Sequence, residues 1–274
     1  WNKLSWIISG KWPEPFPTVR TTPPDLWPEV SAFDTEFERR EGWRKGDTPR
    51  LVRYSLATRD RTVWVIERSD VGQIPITPGS TIIMHNCPVD IPYFVDICPI
   101  PMRDLIIEDT MYAHAVLWTG KVETDTQKGR VGGATSHTLN YLGSIYARFN
   151  RWKHLDELAP RTYAGGDALG TMDVWSTGLH GGLSGELDRD PGSRWVYENL
   201  ERPLIPIILR NRATGIRTDP DGAEKTLKVI EHDQADALQR AIAYTGVPWF
   251  TVTSPKHLSE WLWTVEKLKK PRMR

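Results

Sequence analysis

The chain has 274 residues, enough for one large domain or two smaller ones. Its 35 Lys and Arg balance 35 Asp and Glu, so no global charge announces a nucleic-acid partner, and a polyanion binder of this composition relies on local patches or metals. Two cysteines are too few for a disulfide framework and fit a reducing, intracellular setting, and no apolar run nears the ~20 residues that span a bilayer. The chain opens on Trp1 without a Met or a signal peptide, which reads as a fragment of something longer.

Residues 1–29 carry Lys11-Trp12-Pro13-Glu14-Pro15-Phe16-Pro17, then Pro23-Pro24 and Pro28. Proline at this density blocks helix and ladder alike, so an extended arm is expected, its aromatics lying against the next domain. Val30 to Phe37 reads as a first strand, Leu51 to Ala57 as a second and Thr62 to Ile66 as a third. The turn Arg59-Asp60-Arg61 is short enough for an antiparallel hairpin. Thr81 to His85 is a continuous apolar run, typical of a strand buried on both faces. Asn86 closes it, and Val89 to Ile97 predicts a helix with Asp90 at its start.

Leu105 to Thr110 predicts another strand, followed by a helix from Met111 to Trp118. Residues 119–135 lack periodicity, so a mobile loop is expected. His137 to Asn150 is amphipathic through Leu139, Leu142, Ile145 and Tyr146. Tyr163 to Leu179 predicts a further helix, although Gly165, Gly166 and Gly170 work against it. Strands that first run antiparallel and then alternate with helices predict an α/β fold, a mixed sheet with helices on it. Residues 180–194 are Gly- and Asp-rich and predict a linker or long turn. Arg194 to Arg212 reads as a long helix that Pro203 and Pro206 kink or break. Gly215 to Asp219 predicts a short turn and strand, and Pro220 to Tyr244 a second helix. A third helix begins at Pro255 with Ser254 as its N-cap.

The chemistry begins at Asp34 and Glu36. Two residues apart on a strand, they point to the same face. Like charges so placed repel, and burying them is costly unless something positive sits between them. A pair of divalent cations removes that penalty, so these residues read as the first half of an oxygen-only metal site, with a merely solvated pair as the competing reading. Asn86-x-x-x-Asp90 lies where a strand hands over to a helix, a place that aims side chains at a strand's end. An Asp at a helix start also serves as a cap, and that reading stays open. Tyr163 and Asp167 stand one helical turn apart and share a face. Tyr163 as a merely packed aromatic is the competing reading.

Phe33-Asp34-Thr35-Glu36-Phe37, His85-Asn86-Cys87-Pro88-Val89-Asp90 and Tyr163-Ala164-Gly165-Gly166-Asp167-Ala168 together resemble, in order, three motifs of one family. It is that of the 3′-5′ exonucleases with four acidic metal ligands and a catalytic tyrosine. Ser136 to Leu142, on through Ile145-Tyr146 to Trp152-Lys153-His154, is similar to the family A DNA polymerases, especially those of bacteriophages. Asp109-Thr110-Met111 resembles the start of their next helix. Gly215 to Asp219 and Ser254 to Leu258 look like the opening of their polymerase domain and thumb. No palm or fingers signature follows, so polymerisation is not expected of this chain.

The resemblance implies an RNase H-like mixed five-stranded sheet flanked by helices, then a small helical region. The implied domains are an arm over 1–29, an exonuclease domain over 30–192 and a truncated thumb-like start of a polymerase domain over 193–274. It implies two Mg²⁺ or Mn²⁺ ions held by Asp34, Glu36, Asp90 and Asp167, with Tyr163 orienting the attacking water. Thr35, through its backbone, and Asn86 are expected to contact the terminal nucleotide, while His85 and His137 read as structural. The expected substrate is the single-stranded 3′ end of DNA, with a polymerase domain or subunit as partner, no membrane, and a cytoplasmic location, that of the host if viral. The basic end, Lys267 to Arg274, is either a contact to duplex phosphates or solvated surface. Two other readings stand beside this one: a 3′-5′ exoribonuclease of RNA processing, and a non-catalytic module that binds DNA or a replication partner.

Overall fold

The alternating stretch Val30–Glu38 becomes the central strand, β2, of a six-stranded sheet. The computed structural model describes residues 13–38, 49–70, 72–118, 136–177, 180–215, 217–251 and 253–268. Contacts divide the chain into two units, Trp1–Ala213 and Thr214–Arg274. The first contains the sheet: β1 (Val19–Arg20), β2, β3 (Arg50–Ala57), β4 (Val63–Glu67), β5 (Thr81–Met84) and β6 (Ile106–Asp109). Their order is β1-β4-β3-β2-β5-β6. β3 runs antiparallel to β2 and to β4, whereas β5 and β6 run parallel to β2.

Strands β2 to β6 supply the expected mixed sheet flanked by helices. The sheet has six strands rather than five, because Val19–Arg20 pairs in parallel with Val63 and Trp64 on β4. That added strand falls in the stretch expected to be an extended arm. Two proline-free residues suffice for an edge pairing. Among the described residues of the arm, Phe16 and Trp27 lie on the domain, and the expectation for residues 1–12 falls outside the described residues. Phe16 meets Phe149 edge-on at 5.4 Å, and Trp27 is buried with its indole N–H donating to Ser31 Oγ at 2.8 Å.

Both faces of the sheet are buried, and the two-residue period sorts the side chains between them. Ala32, Ala57, Val63, Val65 and Ile83 share one core with α3 (Leu139–Tyr146), α4 (Pro160–Ser176) and α5 (Gly182–Arg189). Their neighbours Phe33, Leu56, Trp64, Ile66 and Ile82 share the other with Trp27 and α1 (Ile91–Ile97). Helix α2 (Thr110–Leu117) follows β6 directly.

Helix α4 forms in spite of its glycines, for a packing reason. A Cβ at Gly165 would meet Val63 Cγ1 at 2.9 Å, and one at Gly170 would meet the Trp152 ring at 2.7 Å. The missing side chains let α4 approach the sheet on one side and let the Trp152 ring slot in on the other. Close packing here overrides weak helix propensity.

Residues 180–194, expected to be a linker, instead form α5 and the start of α6 (Pro191–Val196). Leu183 and Leu187, one turn apart, are buried, and that pair outweighs the glycine and aspartate content. Asp190 caps α6 by accepting from the backbone N–H of Gly192 and Ser193, both at 3.1 Å. A wide turn at Tyr197–Glu201 then leads into α7 (Arg202–Thr214). The long helix expected there therefore runs on through this wider turn, which sits just ahead of Pro203, while Pro206 is tolerated inside α7. The Tyr197 hydroxyl donates to Glu108 Oε2 at 2.7 Å and accepts from the Asp109 N–H at 2.8 Å. Arg202 Nη1 lies 2.9 Å from Glu108 Oε1.

In the second unit, α8 (Pro220–Thr245) is capped by Asp219 and ends on Gly246 in the left-handed region. Helix α9 (Pro255–Glu260) has Ser254 as its cap, accepting from the His257 N–H at 3.3 Å. The strand expected within Gly215 to Asp219 is absent among the described residues. The expected loop at 119–135 and residues 269–274 of the basic end lie outside the described residues. No described helix is long and apolar enough to cross a membrane.

Candidate metal-dependent active site

Asp34 and Glu36 project from β2 towards α4. Asp34 pairs with Ser55 across the sheet and Glu36 with Arg53, and the register shifts between Glu36 and Phe37. Such a bulge re-aims the side chain beside it. Helix α4 brings Asp167 to the same place. One carboxylate oxygen each from Asp34, Glu36 and Asp167 lie within 4.8 Å of one another.

This grouping is electrostatically unfavourable as it stands. Burial, then the charges of Asp167, Asp90 and Glu36, hold the Asp34 carboxyl well above the usual carboxylate range, while Lys153 partly offsets them. Burial and Asp167 push Glu36 up to about 7, against Lys153 and Arg53. Asp34 Oδ2 is buried, and no hydrogen-bond donor among the described residues reaches it. A buried acceptor without a donor costs about 1–3 kcal/mol, so the fold keeps it only where another group satisfies it. Three clustered carboxylates and an orphaned oxygen are the donor set that Mg²⁺ and Mn²⁺ prefer.

Asp90 stands at the N-cap position of α1, yet its side chain makes no capping hydrogen bond. Its Oδ1 instead accepts from Thr35, from the backbone N–H at 3.1 Å and from the hydroxyl at 2.5 Å. Burial raises its carboxyl to about 7 against these two bonds. It lies outside the three-carboxylate cluster but close enough to act on Asp34 and to be acted on by Glu36.

The turn that delivers Asp90 is held from behind by Asp109. Asp109 Oδ2 accepts from the Cys87 N–H at 2.5 Å, and its Oδ1 caps α2 through Met111 and Tyr112. Asn86 sits in this turn with a φ of 63°, a left-handed conformation that Asn tolerates better than most residues. Thr35, expected to offer its backbone to a nucleotide, has already given its N–H to Asp90.

Tyr163 lies one turn before Asp167 on α4. Burial and Asp167 push its phenol up to about 12, so it is a neutral hydroxyl at physiological pH. Two residues that the sequence reading left without a role complete the site. Trp152 Nε1 donates to Asp167 Oδ1 at 2.5 Å, and Lys153 Nζ lies 2.7 Å from Asp167 Oδ2. Their signal was the stretch Trp152-Lys153-His154, which is part of the resemblance to the family A polymerases but came with no role in the site. His85, half-buried, lies 2.8 Å from Thr110 Oγ1, and buried His137 lies 2.6 Å from His114.

No family model matches the chain. A 78-residue stretch is 40% identical to DNA polymerase I of Caldicellulosiruptor bescii, covering 28% of this chain and 9% of that protein. The chain thus spans about a tenth of the length of the curated relative it matches. Among solved structures, Brucella melitensis NrnC is similar at a TM-score of 0.48 and 18% identity, over 72% of this chain and 94% of that one. The same protein with bound Mg²⁺ gives a TM-score of 0.46 at 18% identity, over 74% and 96%. The POL domain of Pol1 from M. smegmatis, in complex with DNA primer-template and dNTP, gives a TM-score of 0.49 at 17% identity, over 89% of this chain and 38% of that one. The chain is therefore similar to a DNA polymerase I over one segment and, at low identity, to NrnC and a polymerase domain over most of its length.

Proposed function

We propose that the chain is a metal-dependent 3′-5′ exonuclease. It hydrolyses the terminal phosphodiester of single-stranded or frayed DNA 3′ ends, as a proofreading module of a family A, bacteriophage-like DNA polymerase. The observation that carries this reading is the convergence of Asp34, Glu36 and Asp167 within 4.8 Å around an oxygen that no described donor reaches. The segment shared with a DNA polymerase I supports DNA as the substrate.

In this reading Asp34, Glu36 and Asp167 hold one divalent ion, and Asp34 with Asp90 holds a second. Two such ions supply an activated water and charge neutralisation at the departing 3′ oxygen. Thr35 fixes Asp90 in place through its paired hydrogen bonds. Tyr163 keeps its proton and orients the attacking water through a neutral hydroxyl, since a phenol near 12 is a poor base at pH 7. Asn86, at the turn before Asp90, and Thr35 border the place of the terminal nucleotide. Mismatched ends fray more easily, so a site that accepts single strands selects errors without reading bases.

The test is nucleotide release from a labelled single strand with Mg²⁺, run on DNA and RNA of one sequence. Release from the 3′ end of DNA, lost on chelation, is expected. Equal or faster release from RNA would move the assignment to an exoribonuclease, and no release from either would remove it.

A further inference from the structure

Lys153 stands among the acids of the site with its ammonium 2.6 Å from Oδ1 and 2.7 Å from Oδ2 of Asp167. The same nitrogen lies 3.3 Å from the Tyr163 hydroxyl and 4.9 Å from the centre of that ring. With Trp152 Nε1 also on Oδ1, both oxygens of Asp167 are taken. Any cation drawn in by Asp34 and Glu36 has to share Asp167 with this lysine. The side chain is 30% exposed, so it has room to withdraw.

The contact with Tyr163 has a fixed direction. An ammonium has three donors and no acceptor, so the bond runs from Lys153 N–H to the phenol oxygen. That leaves the phenol's own proton to point elsewhere. Lys153 therefore touches two site residues in complementary ways: it occupies a ligand oxygen, and it sets the polarity of the group proposed to orient water.

We infer that Lys153 is a positioning residue that stands in for a metal ion on Asp167 in the metal-free site and yields that carboxylate on metal binding while keeping the Tyr163 hydroxyl oriented. The inference rests on the exonuclease reading. It explains why a chain would place a lysine on a carboxylate needed as a ligand. The stand-in limits the repulsion among the acids and keeps Asp167 in its place before the metal arrives.

The experiment is Mn²⁺ titration of the whole chain without DNA, followed by electron paramagnetic resonance, for wild type, Lys153→Met and Lys153→Arg. Removing a competing charge at this range is expected to tighten Mn²⁺ binding by about tenfold in Lys153→Met, with affinity returning towards wild type in Lys153→Arg. Release of nucleotide from single-stranded DNA is expected to show about a tenfold lower kcat with little change in KM, and Tyr163→Phe added to Lys153→Met should lower kcat little further. A lysine that only supports the fold would lower the melting temperature and leave Mn²⁺ affinity unchanged or weaker, and that result overturns the inference. If wild type itself binds no Mn²⁺, the exonuclease reading falls and the inference falls with it. If wild type binds Mn²⁺ and Lys153→Met binds it no tighter, only the role of Lys153 is refuted.

Discussion

Thr35 gives both its backbone N–H and its hydroxyl to one carboxylate oxygen of Asp90, 55 positions away. The strand that carries Asp34 and Glu36 thereby fixes the residue at the start of α1. These bonds favour the charged carboxylate, while burial favours the neutral acid and leaves Asp90 at about 7. Thr35→Val keeps the shape and deletes the hydroxyl donor. In the metal-free protein the Asp90 carboxyl should then ionise at higher pH, so the Mg²⁺ concentration for half-maximal activity near pH 7 should rise by about tenfold, the gap closing by pH 9. Mg²⁺ titrations of activity at pH 7 and pH 9 check this, and an unchanged requirement would sever Asp90 from the metal site.

The metal-free protein should lose stability as pH rises. Asp34 is held well above the usual range, and Glu36 and Asp90 are held at about 7, so all three bind protons more tightly folded than unfolded. Their contribution is fully present below the unfolded carboxylate range near 4 and is lost as pH climbs through about 7. Thermal melts in chelator should therefore fall between pH 5 and pH 8, by several kcal/mol of stability from these groups together. Mg²⁺ should raise the melting temperature more at pH 8 than at pH 5.5, because the ionised acids are the ones that bind it.

Asp34→Asn should separate function from stability. The amide supplies a donor where Asp34 Oδ2 meets none and removes a negative charge from beside Glu36 and Asp167. Nucleotide release should fall by about a thousandfold or more, while the chelator-treated protein becomes more stable by about 1 kcal/mol at pH 8. Activity assays and melts on one preparation read both, and a variant as active as wild type would refute the site.

Trp152 lies in the slot left by Gly170, where an added Cβ would meet its ring at 2.7 Å, and by Gly143, where it would meet the ring at 2.5 Å. Gly170→Ala should destabilise the fold by about 2 kcal/mol in spite of alanine's better helix propensity. Trp152→Phe keeps much of the packing but removes the donor to Asp167 Oδ1. About a tenfold loss of kcat is expected, with a smaller loss of stability than Gly170→Ala, as denaturant melts and initial rates would report.

The strands and the acids were legible because their signals are local. Period-two alternation placed Ala32 and Phe33 on opposite faces, and they do enter opposite cores. The spacing of Asp34 and Glu36 on a strand, and of Tyr163 and Asp167 on a helix, gave shared faces that the folded chain brings to one place. What escaped depends on distant partners. The glycines of α4 weaken a helix when read alone and make sense only against Val63 and Trp152. The pairing of Val19–Arg20 with β4 is an edge contact too short to leave a pattern. Residues 180–194 read as a linker because composition hid the buried pair Leu183 and Leu187. Trp152 and Lys153 stand in a stretch that resembles the family A polymerases, but the resemblance gave them no role, and their roles appear only when Asp167 arrives beside them.

The most direct measurement of the central claim is anomalous scattering from crystals of the chain soaked in Mn²⁺. A manganese peak bounded by the carboxylates of Asp34, Glu36 and Asp167, with a second towards Asp90, is the predicted result. Ordered density for all four side chains with no manganese among them would contradict it.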